Sequence, residues 1–216
     1  VDTQTILIIV VTLVMGWFAF GVIYNIRHGE AILKWMKGGL PIVGERTTFR
    51  WLGSSVAELG IAHAKNPMRS LQIMLALAPR DVPWIWLPAH LRGRRDTLIF
   101  RAQLSVAPKI DFDLADPALW TGRMAMEDAA EKNWEVQAYQ ELTLVSPAVY
   151  RNLAVAVLQQ LEAPMRELAT TYRRFSLRRD SPHLEIHLPP PDYRHIAADQ
   201  YFKALQDLAR SVTQVE

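Results

Sequence analysis

Hydrophobic positions obey two different rules along this chain. From Ile6 to Ile26 they run for 21 residues without a charge, and further on they alternate with polar positions in short bursts. At about 1.5 Å per residue the first run spans roughly 30 Å as a helix, the thickness of a bilayer's hydrocarbon core. No other stretch is comparably long and apolar, so the pattern predicts one membrane-spanning helix. A cleaved signal peptide would begin with positive charge, hold a shorter apolar core and end in a small-x-small site. Here Val1-Asp2-Thr3-Gln4 carries no lysine or arginine, and the run closes on bulky Val22-Ile23-Tyr24. Retention as a signal-anchor is therefore expected. Gly16 and Gly21 are five apart, which is not the small-xxx-small spacing of a dimer face.

Beyond Ile26 the apolar positions Ala31, Ile32, Trp35 and Met36 keep helical spacing until Gly38-Gly39 and Pro41, which predicts that the helix continues into the interface and stops there. Tyr24 and Trp35 are placed as interfacial aromatics. Lys34 and Lys37 read either as lipid-surface contacts or as lysines that snorkel at a helix end. The chain thus divides into a tail (1–5), a transmembrane and juxtamembrane helix (6–37) and one domain (40–216).

In that domain the alternation has period two. Leu71, Ile73, Leu75 and Leu77 form one set, and Leu98, Phe100, Ala102 and Leu104 another. Ile110, Phe112 and Leu114 alternate with Lys109, Asp111 and Asp113; Trp134, Val136 and Ala138 with Asn133, Glu135 and Gln137; Leu184, Ile186 and Leu188 with His183, Glu185 and His187. Strands with one apolar and one polar face belong to antiparallel or mixed sheets. Two helices are expected between and after them. One is capped at Ser146-Pro147 and buries Leu153, Val157, Leu158 and Leu161. The other begins near Ala197 and buries Tyr201, Phe202, Leu205, Leu208, Ala209 and Val212. The predicted class is α+β, a mostly antiparallel sheet packed with two or more helices behind a single transmembrane helix.

Composition adds little to this. Half the residues are hydrophobic and 21% charged, as in a globular chain. Charge distribution adds more. Residues 26–109 hold 13 Lys/Arg against 5 Asp/Glu, and residues 110–145 hold 2 against 8. The basic segment follows the apolar run, while only Asp2 precedes it. The positive-inside rule then places the N-terminus outside and the domain in the cytoplasm of the cell membrane. Absence of cysteine agrees with a reducing compartment, and it excludes thiol catalysis and iron–sulfur clusters.

Three clusters could carry function. Trp84 and Trp86 stand between prolines and precede Arg92, Arg94 and Arg95. Such a loop suits headgroup contact or a groove for single-stranded nucleic acid, unless its tryptophans pack on the sheet. Arg173, Arg174, Arg178 and Arg179 read as a solvated face, with phosphate or acidic-partner binding as the alternative. His183, Glu185 and His187 share one side of a strand, with Asp192 and His195 a short loop away, a pattern able to ligate a divalent metal. His28, His63 and His90 stand alone. No dinucleotide fingerprint, phosphate-binding loop or nucleophile elbow is present, and Gly53-Ser54-Ser55 reads as a turn between strands. No cofactor is expected.

Two segments, Glu30-Ala31-Ile32-Leu33-Lys34-Trp35 leading into Leu40-Pro41-Ile42-Val43-Gly44-Glu45, and Leu184-Glu185-Ile186-His187-Leu188-Pro189, resemble the calumin family of reticulum membrane proteins. They cover about a fifth of the chain, and the family's long charged C-terminal coiled coil has no counterpart up to Glu216. The resemblance implies a spanning helix ahead of a cytosolic α+β domain, and a non-enzymatic role near membrane-protein assembly and the ribosome. With no catalytic constellation in the sequence, the expected activity is binding. The expected partners are the lipid bilayer and another membrane protein, with anionic headgroups as a secondary contact. A membrane-tethered metalloenzyme using His183, Glu185 and His187 is one alternative, and an RNA- or ribosome-contacting protein is the other.

Overall fold

A computed structural model describes residues 2–214. Its first element, α1, runs unbroken from Thr3 to Met36, about 50 Å at helical rise. Asp2 caps its start by accepting from the Thr5 amide at 3.2 Å, and Gly38-Gly39 closes it where expected. Its apolar content and length suffice to cross a membrane. A short turn of helix, α2 (Leu40–Val43), leads into the domain.

The domain is one nine-stranded sheet, antiparallel throughout. Its strands are β1 (Thr47–Trp51), β2 (Val56–Ile61), β3 (Met68–Ala76), β4 (Thr97–Leu104), β5 (Phe112–Ala115), β6 (Glu135–Tyr139), β7 (Leu142–Ser146), β8 (Arg174–Leu177) and β9 (Leu184–Leu188). They lie in the order β1-β2-β3-β4-β9-β8-β5-β7-β6. The register explains the alternation seen in the sequence. Phe49, Leu59, Ile73, Phe100, Ile186, Phe175, Leu114 and Leu144 form one continuous row across eight strands. The neighbouring row, on the other face, is Thr48, Gly60, Gln72, Arg101, Glu185, Ser176, Asp113 and Val145. Successive side chains on a strand point to opposite faces, so the sheet has one apolar face and one mostly polar one.

The apolar face is covered by α5 (Arg151–Leu168) and α6 (Ala198–Gln214) and by the end of α1, which share its core. Phe100 meets Tyr201 and Phe202 of α6 at centroid distances of 6.1 and 6.3 Å. α6 buries the six residues its spacing predicted. α5 begins four residues later than its Ser146-Pro147 signal, after a 3-10 turn at Ala148–Tyr150. Leu153 is exposed in the first turn of α5, and Ala154 takes the place in the core beside Val157, Leu158 and Leu161.

Besides the single turn of α2, two helices were not legible in the sequence. α4 (Trp120–Glu131) packs near β5, β7 and β6 through Gly122, Ala125 and Ala129, small residues that give no strong apolar stripe. α3 (Pro83–Leu91) occupies what read as a loop. The apolar side of β6 was expected inside, yet Val136 is 61% exposed, because β6 is an edge strand.

Candidate functional site

The membrane-side features of the sequence converge at the junction of α1 with the domain. The buried residues of α1 are Gly21, Asn25, Gly29, Ile32, Leu33 and Met36. Steps of three and four put them on one helix face. A Cβ at Gly21 would lie 2.4 Å from the Arg80 carbonyl oxygen, and one at Gly29 would lie 2.5 Å from the Trp51 ring. Glycine is what lets the helix come this close.

Asn25, within the charge-free run, is fully buried. It donates to the Ala78 carbonyl at 3.0 Å and accepts from Arg80 Nη1 at 3.2 Å. Arg80 holds both oxygens of Asp96 at 2.9 and 2.8 Å. Asp96 also accepts from the Ala78 amide at 2.7 Å, and His28 Nε2 stands 3.6 Å from it. This latch satisfies a polar side chain that would be costly if left unpaired away from water.

Nearer the N-terminus, Trp17 Nε1 donates to the Arg80 carbonyl at 2.8 Å, and its ring lies 6.0 Å from that of Trp86. α3 therefore sits beside the part of α1 whose apolar side chains are exposed. It buries none of its own residues. Trp84 is 64% and Leu91 77% exposed, with Ile85 and Leu87 also exposed. The tryptophans do not pack on the sheet, and Arg92, Arg94 and Arg95 follow directly at the helix end. Between α1, this arginine segment and the Pro190–Tyr193 loop lies an open cavity of about 330 Å³.

Trp35 takes a different place from the interfacial one expected. Its Nε1 donates to the Ile196 carbonyl at 2.7 Å, and its ring meets Tyr201 edge-on at 5.3 Å. It belongs to the α6 contact. Lys34 and Lys37 are exposed at that same end, about 25 and 30 Å along the helix from Trp17.

The His-x-Glu-x-His strand becomes a hydrogen-bonded network. His183 Nδ1 accepts from the Leu104 amide at 3.1 Å. Glu185 bonds His187 Nε2 through one oxygen at 2.6 Å and Arg101 through the other at 2.7 Å. Burial alone would raise the Glu185 pKa, but His187 and Arg101 overcome that and hold it at about 2. Asp192 and His195 pair with each other on the exposed loop at 2.7 Å. Among the described residues no three His, Cys, Asp or Glu side chains converge as a metal set. The carboxylate expected to ligate is occupied on both oxygens.

The solvated arginine face is corrected at Arg174 and Arg178. Arg174 and Arg178 both pair with Asp113, whose side chain is 1% exposed, and Arg174 reaches Asp128 on α4. Arg179 pairs with Asp111 at 2.7 Å. Only Arg173 turns the other way. It donates to the Asp96 carbonyl at 2.6 Å and also to the Thr97 hydroxyl, and it lines the cavity beside α1.

Asn25, Arg80 and Asp96 at this junction were missed as site residues, and nothing in the sequence joined His28, His90 and Arg173 to them. The one available signal was Gly21, Asn25 and Gly29 spaced by fours inside the apolar run. No family model matches the chain, and no curated protein is detectably similar to it. The resemblance to the calumin family gains no support from either comparison.

Proposed function

We propose that this protein is a single-pass membrane protein whose domain works by binding at the cytoplasmic surface of the cell membrane, with another membrane protein as its main partner. One observation carries the reading. The helix whose first half exposes Ile6 through Phe20 contributes Ile32, Leu33 and Met36 to the core of the domain, and beside it α3 exposes four large apolar side chains. Cleavage at the end of the apolar run would remove Gly21 and Asn25, which seat on the Arg80 segment. Trp, Leu and Ile exposed next to a spanning helix fit a lipid-facing surface, and the basic segment that follows fits an anionic leaflet. An exposed apolar helix at that depth also gives a neighbouring membrane protein a surface to pack on.

The competing readings have less support. A metal-dependent enzyme would need ligands that the Glu185 network has already engaged, and a nucleic-acid groove at Trp84–Arg95 would need the arginines beside the exposed tryptophans, whereas Arg94 and Arg95 line the cavity beside α1. Purification of the full-length chain in mild detergent from its native membrane, followed by mass spectrometry, tests the proposal. A stoichiometric membrane-protein partner is expected. A protein that purifies alone, or that alkaline carbonate extracts from the membrane, contradicts it.

A further inference from the structure

The cavity beside α1 gathers more positive charge than its surroundings balance. Arg80, Arg94, Arg95 and Arg173 line it together with His28 and His90, and Asp96 is its one carboxylate. Asp96 is already engaged by both terminal nitrogens of Arg80 and by the Ala78 amide. Among the described residues Arg94, Arg95 and Arg173 have no carboxylate within ion-pair distance. Arg95 and Arg173 each commit Nη1 to carbonyl or hydroxyl oxygens. Arg94 lies over the Trp120 ring at 5.5 Å. A guanidinium carries five N–H donors, so most of those on these three arginines stay free.

Holding three guanidinium groups around one concavity is unfavourable unless an anion shares it. Burial pushes the Arg173 pKa below its ordinary value and the Arg95 charge pushes the same way, against Asp96 and Asp116. Forked N–H pairs match the oxygens of a phosphate better than those of a point-like anion. The location narrows the source. His28 comes two residues after Ile26, the last residue of the charge-free run, and His90 belongs to α3, its ring 5.3 Å from that of Trp86. Spanning-helix junctions with basic pockets are where anionic headgroups are held.

We infer that the cavity bounded by His28, Arg80, Arg94, Arg95 and Arg173 binds the phosphate of an anionic phospholipid headgroup. This rests on the membrane reading above and makes it specific. The lipid's phosphate oxygens accept from Arg94, Arg95 and Arg173, its acyl chains run along the exposed side of α1 beside α3, and Asp96 keeps Arg80 oriented.

The test uses the full-length protein in detergent, with native mass spectrometry counting bound lipid. Phosphatidylglycerol or phosphatidic acid is expected to give one retained adduct, and phosphatidylcholine none. Arg94→Gln should weaken that adduct by about tenfold or more, the effect of losing a charged hydrogen-bond donor. Among the described residues the Arg94 side chain makes no hydrogen bond, and its backbone bond to the Ala89 carbonyl is untouched by the substitution, so this variant should stay folded, and Arg173→Gln supplies a second measurement. Equal retention of phosphatidylcholine, or an adduct indifferent to both substitutions, overturns the inference. Inorganic phosphate that displaces the lipid at equal affinity would assign the site to a free phosphate and overturn the lipid assignment. Carbonate extraction of the same samples separates the two levels: a protein that resists extraction yet shows no lipid preference refutes only the headgroup site, whereas one that is extracted refutes the membrane reading.

Discussion

At the scale of single residues, alternation shows which positions are polar but not what they meet. Asp113 read as a water-facing partner of Leu114, and it is among the least exposed groups on the sheet because Arg174 and Arg178 close over it. The arginines fell under the same misreading from the other side. Their pairing is non-local, joining β5 to β8 through chain positions some sixty apart, and no local spacing encodes it. Breaking such a buried pair by removing one charge costs about 3–5 kcal/mol. Glu185 offers a cleaner measurement. Its pKa is depressed from 4.5 to about 2, so the folded state binds its proton less readily than the unfolded chain does. The stability it contributes is therefore complete above pH 4.5 and is lost as the pH falls toward about 2. Glu185→Gln removes that titration. Thermal unfolding across this window should show a shallower acid dependence in the variant than in the parent, and identical acid slopes would contradict the Arg101–Glu185–His187 network.

At the scale of elements, legibility followed the strength of the periodic signal. α6 and strands β3, β4 and β9 lie close to where their apolar spacing put them. α3 was hidden by Pro83 and Pro88, yet Pro83 sits in the first turn, where its missing N–H costs nothing. α4 was hidden because close packing on the sheet needs small residues rather than a leucine stripe. The deeper gap concerned α1. Read alone it was an anchor with a helical extension, and Gly21, Asn25 and Gly29 carried no assignment as a docking face. Docked, they are the face that meets the domain. Gly21→Leu should drive a side chain into the Arg80 backbone. Overpacking of this kind costs about 1–3 kcal/mol, while Gly16→Leu, with nothing within 4 Å, should leave stability unchanged. Chemical denaturation in detergent compares the two, and equal stability would mean that α1 does not seat on the domain as described.

At the scale of the whole molecule, one helix is apolar and long enough to cross a membrane and also contributes to the domain's core; under the function proposed above, this sets where the domain meets the bilayer. Steps of about one turn along α1 bring Trp17 to α3, Gly21 and Asn25 to the Arg80 segment, and His28 to Asp96. The proposed function then puts α3 on the lipid side and β4 leading away from it, from Thr97 beside the cavity to Leu104 about 25 Å further on. The chain has no cysteine, so a single introduced one carries a spin label without competition. The most direct measurement is the immersion depth of labels at Leu87→Cys and Val106→Cys in full-length protein reconstituted into vesicles containing anionic lipid. Both positions are exposed, one on α3 and one just past the far end of β4. The account predicts that the Leu87 label is shielded from aqueous quenchers and reached by lipid-borne ones, with the Val106 label showing the opposite. A Leu87 label as open to water as the Val106 label would contradict it.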